Sequence, residues 1–495
     1  MPVQACDYLD FDKSAVAKRD SMDASVEVID AKMNNTKLDQ TSSSKKPLGL
    51  ADLPPSVRNN IYKYVLDTEQ VNVGNPNVSY THTIKDGVLQ FKASRSPFPV
   101  NTALFYVNKE LSAEAVKYFY SKNLFVRFEV CTTDARHAKT MLEESGLLFS
   151  VAAADRVERS TQHAMDLTIV EKNSSHKRAS VMFPAQYLPR LINFFEQASA
   201  TTSTWAQTHS LFIGVRNTYD FPLARLQGDL LELFRLLTNL GAVTIEPKNL
   251  LPGFAEGLQV SMLAPTFTAE GWLRAFTEMT DRAAEDTEAG KHEIAQQHLQ
   301  SAIISMTYGY LTRAEFLHSQ KEEFTKSVQR LRWGCELGLA NALAKQHQVA
   351  TADQEWLFSS EIAIKKKTAL ARDLMLAEMS ASRALSLATD SPSPESNPWV
   401  ATLPRETIPP NRVSWFTAAE RVESWLGLGR THMALGEYIF ACGDFERATR
   451  LMDEGDVKGP IRDEVVKVFE KARNGINWQT KPGVGLKQAS KLARA

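Results

Sequence analysis

Side chains that could perform acid–base, nucleophilic or metal chemistry are scattered along this sequence. The chain has four cysteines, which lie far apart and form no CxxC pair: Cys6, Cys131, Cys335 and Cys442. Among the ten histidines, His292 and His298 share one expected helix but fall on different faces of it. The sequence contains no G-x-x-x-x-G-K-S/T phosphate loop, no G-x-S-x-G nucleophile turn and no H-E-x-x-H motif. These patterns predict no catalytic residue, no metal site and no cofactor, and they favour reduced, buried thiols over disulfides.

Serine hydroxyls beside basic residues or prolines are the remaining groups with chemistry to offer. Lys177 and Arg178 precede Ser180 in a polar segment, a pattern that suits a basophilic kinase. Ser391 and Ser393 each precede a proline. A phosphate would add about −1.5 to −2 charge and could order a loop. An unmodified polar loop is the alternative interpretation for all three serines.

Charge and hydropathy limit the classes of partner. The 495 residues include 57 basic and 58 acidic ones, a formal net charge of −1, so no global charge steers the chain to nucleic acid or an anionic membrane. No stretch approaches the ~20 apolar residues needed to cross a bilayer. Residues 1–47 mix acids, bases, Ser, Thr and Asn, and we expect a disordered leader there. The sequence therefore predicts a cytoplasmic or nuclear protein that binds neither nucleic acid nor membrane.

Residues 50–66, LADLPPSVRNNIYKYVL, predict an amphipathic helix. Pro54 and Pro55 suit the start of a helix, where the missing N–H costs nothing. Four apolar residues follow at spacings of three and four and form one stripe: Val57, Ile61, Tyr64 and Val65. Such a stripe is able to receive a partner helix.

The order of residues in this helix resembles the first helix of an F-box, the module that attaches a protein to the Skp adaptor of cullin-RING ubiquitin ligases. A second segment is similar to the continuation in fungal F-box-like proteins: Ala103-Leu104-Phe105, Val107-Asn108-Lys109-Glu110-Leu111 and Phe119-Tyr120. Ser56 stands where the family has an acidic residue, and Lys109 where it commonly has arginine. The resemblance implies an F-box-like domain over 48–130 that binds a Skp-type adaptor through six residues: Leu53, Pro54, Val57, Ile61, Leu104 and Val107.

Two further points concern this N-terminal part. Asp86-Gly87 beside the alternating Val88-Leu89-Gln90-Phe91 predicts a β-hairpin insertion between the two segments. The apolar residues also have an alternative interpretation, as the core of a small α+β domain without an adaptor. That core would consist of these side chains: Leu53, Val57, Ile61, Val107 and Leu111.

Residues 131–265 alternate between strand and helix patterns. Met165–Val170, Ser210–Val215 and Ala242–Glu246 predict strands, with a helix around Leu191 between the first two. This alternation predicts a small α+β layer.

From residue 266 onward the pattern is helical, and one segment is similar to a tetratricopeptide repeat. The matching residues are Trp425, Leu428-Gly429, Gly436, Ala441, Phe445 and Ala448. Gly429 and Ala441 would let two antiparallel helices approach closely while Trp425 and Phe445 fill the space beside them. We expect irregular helical repeats over 266–389, a Pro/Ser-rich linker over 390–412, a repeat with its capping helix over 413–476, and a basic flexible tail over 477–495.

Tetratricopeptide stacks commonly bind peptides along their concave face. Arg430, with His432 and Glu437 close in sequence, is the predicted partner-binding group and would suit an acidic peptide. A solvated helix face is the alternative interpretation of these three residues.

The predicted fold is thus an α+β N-terminal part followed by an all-α, tetratricopeptide-like array. The predicted function is a non-enzymatic protein–protein interaction adaptor, an F-box-like substrate receptor for a cullin-RING ubiquitin ligase that holds an unknown protein on its helical repeats. One alternative is a helical-repeat scaffold with no link to ubiquitin. Another is a ligand-binding protein or enzyme with a cleft between the middle and helical regions.

Overall fold

A computed structural model describes residues 49–151, 154–174, 176–202, 204–352, 356–359, 362–389, 412–478 and 481–494. The chain divides into two compact units, unit 1 with residues 1–73 and 99–122, and unit 2 with residues 74–98 and 123–495. The predicted leader and nearly all of the predicted linker, with Ser391 and Ser393, lie outside the described residues. The fold is mixed α+β and continues into an all-helical C-terminal region.

Unit 1 is built on two α-helices, α1 (Pro55–Leu66) and α2 (Lys109–Asn123). α1 starts at the second of the two consecutive prolines, as the sequence predicts, because proline has no N–H to lose at this position. A 3₁₀ helix over Thr102–Tyr106 precedes α2, and the Asn101 side chain caps it by accepting a hydrogen bond from the Ala103 N–H.

The predicted hairpin is present as β1 (Tyr80–Lys85) and β2 (Val88–Ala93), which pair antiparallel. Its turn uses Asp86 and Gly87, whose φ angles of 53° and 76° suit a type I′ turn. Tyr80 stacks on Phe149 with 4.1 Å between ring centroids, and its hydroxyl donates a hydrogen bond to the Phe149 carbonyl. This aromatic packing places the hairpin in unit 2, so the predicted domain over 48–130 is corrected: its insertion belongs to the α+β region.

A five-stranded sheet forms the centre of that region, in the order β5-β3-β4-β6-β7. Its strands are β3 (Phe125–Cys131), β4 (Met165–Glu171), β5 (Lys177–Pro184), β6 (His209–Val215) and β7 (Ala242–Ile245). The pairs β3–β4 and β6–β7 are parallel, whereas β5–β3 and β4–β6 are antiparallel. Because β3 crosses residue 130, the α+β region begins before the predicted boundary.

Helices pack around this sheet: α3 (Ala135–Glu144), α4 (Ala154–Glu158), α5 (Leu188–Thr201), α6 (Leu223–Leu231) and α7 (Phe254–Leu263). After α6 the chain tightens into a 3₁₀ helix over Glu232–Leu236. A 3₁₀ helix has three residues per turn, so side chains three apart share one face. Glu232 and Arg235 are both buried on that face.

The C-terminal region continues as a stack of helices: α8 (Ala269–Glu288), α9 (His292–Thr312), α10 (Ala314–His318), α11 (Glu322–Gln346), α12 (Ile364–Thr389), α13 (Ala418–Ala434), α14 (Tyr438–Glu454), α15 (Pro460–Asn474) and α16 (Val484–Arg494). The long helices pack in chain order, α8 on α9, α9 on α11, α11 on α12, and so on to α14 on α15. This order is typical of a helical array in which each element contacts its neighbours.

Helix α16 corrects the predicted flexible tail, because it is ordered and packs against α12. Gly485, Ala489 and Ala493 are buried and lie one turn apart on a single face. A Cβ on Gly485 would lie 2.2 Å from the Leu435 carbonyl oxygen, so the close approach requires glycine. The prediction of a flexible tail relied on its basic composition and did not consider the four-residue spacing of these small residues.

Candidate functional site

The four predicted adaptor-binding residues in α1 and directly before it are exposed or half-buried. Pro54 and Val57 are exposed, and Leu53 and Ile61 are half-buried. Val57 is 42% exposed, whereas the side chains that α1 buries are Tyr62 and Leu66. The apolar stripe is therefore open to a partner over part of its length.

The second predicted segment is exposed where the 3₁₀ helix meets α2. Val107 is 56% exposed and Leu104 is half-buried, while α2 buries Leu111 on its inner side. Tyr106 is 84% exposed and was not among the predicted residues. Its position directly before Val107 is the signal that could have identified it.

A salt bridge and an aromatic contact hold the two helices of unit 1 together. Arg58 Nε donates to Glu114 at 2.9 Å, and its Nη1 donates to the Leu53 carbonyl at 2.6 Å. Tyr62 and Tyr118 have ring centroids 5.6 Å apart. Tyr62 lies four residues after Arg58 in α1, and Tyr118 lies four residues after Glu114 in α2. The two helices therefore run in the same direction. The hydrogen bond that Arg58 donates to Glu114 raises the pKa of Arg58, and burial raises the pKa of Tyr118 to about 12, so both side chains keep their protons at neutral pH.

The small-core interpretation of the same residues is not favoured by this burial. Only Leu111 of its five members is buried. The other four are half-buried or exposed: Leu53, Ile61, Val57 and Val107. Core side chains are normally among the most buried in a domain, so the exposed members fit a contact surface better than a core.

In the helical region, α13 and α14 pack as closely as the sequence predicts. A Cβ on Gly429 would lie 2.4 Å from the Phe445 ring, so only glycine allows this approach without a shift. Phe445 and Ala441 are fully buried, and the Arg447 guanidinium lies 5.1 Å from the centre of the half-buried Trp425 ring.

The three predicted partner-binding residues of this region make contacts within the chain. Arg430 forms an ion pair with Glu464 of α15. His432 is buried with its Nδ1 2.6 Å from Asp444 Oδ2. The buried Glu437 carboxylate accepts hydrogen bonds from backbone N–H groups at the start of α16, at 2.8 and 3.1 Å. Their role in partner binding stays a prediction, and two of the three have little surface to offer.

A cavity of about 120 Å³ lies where α14 and α16 begin. Its walls include Leu357, Tyr438, Lys481 and Pro482, and Glu437 lies at its inner side. The Glu437 carboxylate already serves the α16 N-terminus, where negative charge is favourable. The cavity is therefore a space beside a helix cap, and its buried carboxylate is already engaged.

Asp166 of β4 contacts three basic side chains. Its Oδ1 lies 2.7 Å from His163 Nε2 and 2.6 Å from Arg127, and its Oδ2 accepts from Arg216 at 2.7 Å. Burial raises the pKa of the Asp166 carboxyl, but the hydrogen bonds from His163 and Arg216 outweigh it and bring that pKa to about 2. A carboxylate this acidic is a poor general acid or base near neutral pH.

The remaining reactive groups are also placed for structure. Burial raises the pKa of the Cys335 thiol to about 12 and raises those of Cys131 and Cys442, which disfavours the reactive thiolate. The interpretation of Ser180 as part of an exposed loop is corrected. It lies in β5 opposite Glu129, and its hydroxyl is buried without a partner among the described residues.

Comparison with known proteins gives no relative: no family model, no curated protein and no solved structure matches this chain. Within the described residues, each helix is too short or too polar to span a membrane. In the same part of the chain, no group of three or more His, Cys, Asp or Glu side chains is placed to hold a metal ion. The exposed apolar surface of unit 1 is thus the feature of the predicted site that the geometry supports best.

Proposed function

We propose that this chain is a non-enzymatic protein–protein interaction adaptor whose F-box-like unit 1 binds a Skp-type adaptor of a cullin-RING ubiquitin ligase. The observation that carries the proposal is the exposure of Val57 and Val107, two apolar residues of the family pattern, on a folded pair of helices. In this proposal the tetratricopeptide-like helices hold a protein partner, and the ligase complex supplies the catalysis.

Covering the exposed apolar side chains of unit 1 with a partner would contribute favourably to the free energy of binding. Val57 is 42% and Val107 56% exposed, so covering each adds part of the ~1.5 kcal/mol that full burial of a valine is worth. Tyr106 adds a large, exposed ring next to Val107. Aromatic residues with apolar neighbours commonly dominate the binding energy of interfaces. The Arg58–Glu114 salt bridge fixes both segments before binding, so little ordering entropy is lost when a partner arrives.

The test is binding of the full chain to a purified Skp-type adaptor. The full chain is needed because the hairpin within 48–130 belongs to unit 2. Val57→Asp and Val107→Asp place a charge in the proposed interface and should each weaken binding more than tenfold. Val73→Asp is the matched control, because Val73 is 73% exposed in unit 1 but lies outside the family pattern.

Equal loss of binding in the Val73→Asp control would show a general charge effect and not a defined interface. If the folded wild-type chain does not bind, the ligase part of the proposal fails. The alternative of a scaffold with no ubiquitin link would then account for the same fold.

A further inference from the structure

A small, arginine-rich pocket lies inside unit 2, where the α+β region meets the helical region. It is bounded by the 3₁₀ helix Glu232–Leu236, the start of α8 and the end of α9. Thr312 is exposed and Arg313 half-buried on one side of the pocket, while Arg235 and Trp272 are buried on the other. The pocket is therefore open to solvent at one end, and its volume of about 10 Å³ admits about one water-sized group.

The Arg235 guanidinium has more N–H donors than there are acceptors for it among the described residues. Its Nε donates to Glu232 at 3.0 Å, and the other oxygen of that carboxylate accepts from Ser305 at 2.6 Å. Its Nη2 is buried and has no acceptor among the described residues. The guanidinium lies 5.5 Å from the ring centres of both Phe254 and Phe276, which stabilise the charge without providing an acceptor. A buried donor without a partner destabilises the fold unless a water or ion fills the gap.

Arg313 brings a second positive charge to the same pocket. One of its Nη groups donates to the Leu236 carbonyl at 3.0 Å, and its guanidinium lies 4.3 Å from the centre of the Phe267 ring. No carboxylate among the described residues forms an ion pair with it. Burial lowers the pKa of Arg313, and the charge of Glu196 offsets this only in part.

Trp272 adds a neutral donor. Its indole N–H has no acceptor in the part of the chain that the structure describes, although the side chain is only 6% exposed. Gly309 makes room for the ring, since a Cβ there would lie 2.4 Å from it. The pocket thus combines two guanidinium groups and one indole N–H with a single carboxylate, that of Glu232, which Arg235 and Ser305 already occupy.

We propose that this pocket binds a carboxylate group between Arg235, Arg313 and the Trp272 N–H. Guanidinium groups recognise carboxylates through directed, charge-assisted hydrogen bonds. The pocket volume of about 10 Å³ admits one carboxylate oxygen, and the rest of the group lies at the solvent-open end beside the half-buried Arg313. The carboxylate can come from a free small acid or from an acidic side chain of a protein partner. The site uses no residue of unit 1, so it stands or fails independently of adaptor binding.

The test titrates full-length protein with sodium acetate replacing sodium chloride at constant ionic strength, and follows the acetate methyl signal by NMR. We expect saturable binding of acetate and none of acetamide, its neutral analogue. Arg313→Gln should weaken acetate binding at least tenfold, since it removes a charge-assisted hydrogen bond. Arg274→Gln is the matched control, because Arg274 is an exposed arginine of α8 outside the pocket. Trp272→Phe removes the N–H but keeps a ring, and it should weaken binding even if Arg313→Gln fails to fold.

A second arm separates the two sources of the carboxylate. The capped peptide acetyl-Gly-Asp-Gly-amide is compared with its asparagine counterpart. Binding of the aspartyl peptide at least as tight as that of acetate supports a protein side chain, whereas binding of acetate alone supports a small free acid. The proposal is overturned if acetate does not displace chloride, if acetamide binds equally well, or if both pocket variants bind acetate like the wild type.

Discussion

Replacing Gly429 with alanine tests whether the close approach of α13 and α14 depends on that glycine. Two effects oppose each other in this variant. Alanine is worth about 1 kcal/mol over glycine inside a helix, but its Cβ would lie 2.4 Å from the Phe445 ring. Overpacking of this kind typically costs about 1–3 kcal/mol. We therefore expect a net loss of up to about 2 kcal/mol in the stability of this helix pair.

Gly334→Ala is the matched control because, among the described residues, an added Cβ at Gly334 of α11 would meet no atom within 4 Å outside its own helix backbone and chain neighbours. Alanine at this position has a higher helix propensity than glycine and meets no neighbouring ring. Gly334→Ala should therefore stabilise its helix by about 1 kcal/mol. Amide hydrogen exchange reports the free energy of local opening in each helix, so unfolding of the whole chain is not required.

The two variants should shift protection in opposite directions, faster exchange in α13 for Gly429→Ala and slower exchange in α11 for Gly334→Ala. Adding Phe445→Leu to Gly429→Ala removes the ring that the Cβ meets, and should recover part of the loss. If Gly429→Ala protects α13 as much as Gly334→Ala protects α11, the helices have room to spare and the packing argument is wrong.

Three further changes test other parts of the structure. Glu437→Gln removes the charge that caps α16 and should cost about 1 kcal/mol; hydrogen exchange should accelerate in α16 but not in the exposed-residue control Glu470→Gln. Burial raises the pKa of Asp166, but its hydrogen bonds from His163 and Arg216 bring it to about 2. Its stabilising contribution, about 2 kcal/mol, should thus be complete above about pH 5 and lost as the pH falls toward 2. In urea denaturation, Asp166→Asn should be less stable than the wild type above about pH 5. The difference in free energy of unfolding between the two should disappear as the pH falls toward 2. Ser180→Ala should be nearly neutral in thermal denaturation because the buried hydroxyl has no partner among the described residues, whereas Ser180→Asp should destabilise β5 by a buried charge opposite Glu129; equal melting temperatures would show that this hydroxyl is not buried.

The elements that the sequence predicts well are those with local signals. Pro55 starts α1, Asp86-Gly87 turns the hairpin, and Gly429 with Phe445 forms a close helix pair. In each case the determining residues lie within one element or between two consecutive ones. Residue type and spacing are then enough, because the backbone geometry they require is short-range.

Long-range contacts account for what the sequence did not reveal. The hairpin joins unit 2 because Tyr80 stacks on Phe149, a contact between residues far apart in the chain. Arg235 and Arg313 share a pocket although no local pattern connects them. Helix α16 is ordered through Gly485 against the Leu435 carbonyl, which its basic composition does not indicate. Sequence periodicity identifies the elements, but it does not identify their partners.

The two proposed binding sites lie on separate units, and this makes them experimentally separable. Val57 is on α1 of unit 1, whereas Arg313 follows α9 in unit 2. Mutations at sites that share no partner usually have additive effects. Val57→Asp should therefore weaken adaptor binding more than tenfold and leave acetate binding unchanged, whereas Arg313→Gln should weaken acetate binding at least tenfold and leave adaptor binding unchanged. A double variant measured in both assays completes the cycle. Coupling above about 0.5 kcal/mol would show that occupation of the arginine pocket regulates adaptor binding, and it would contradict the independence of the two sites.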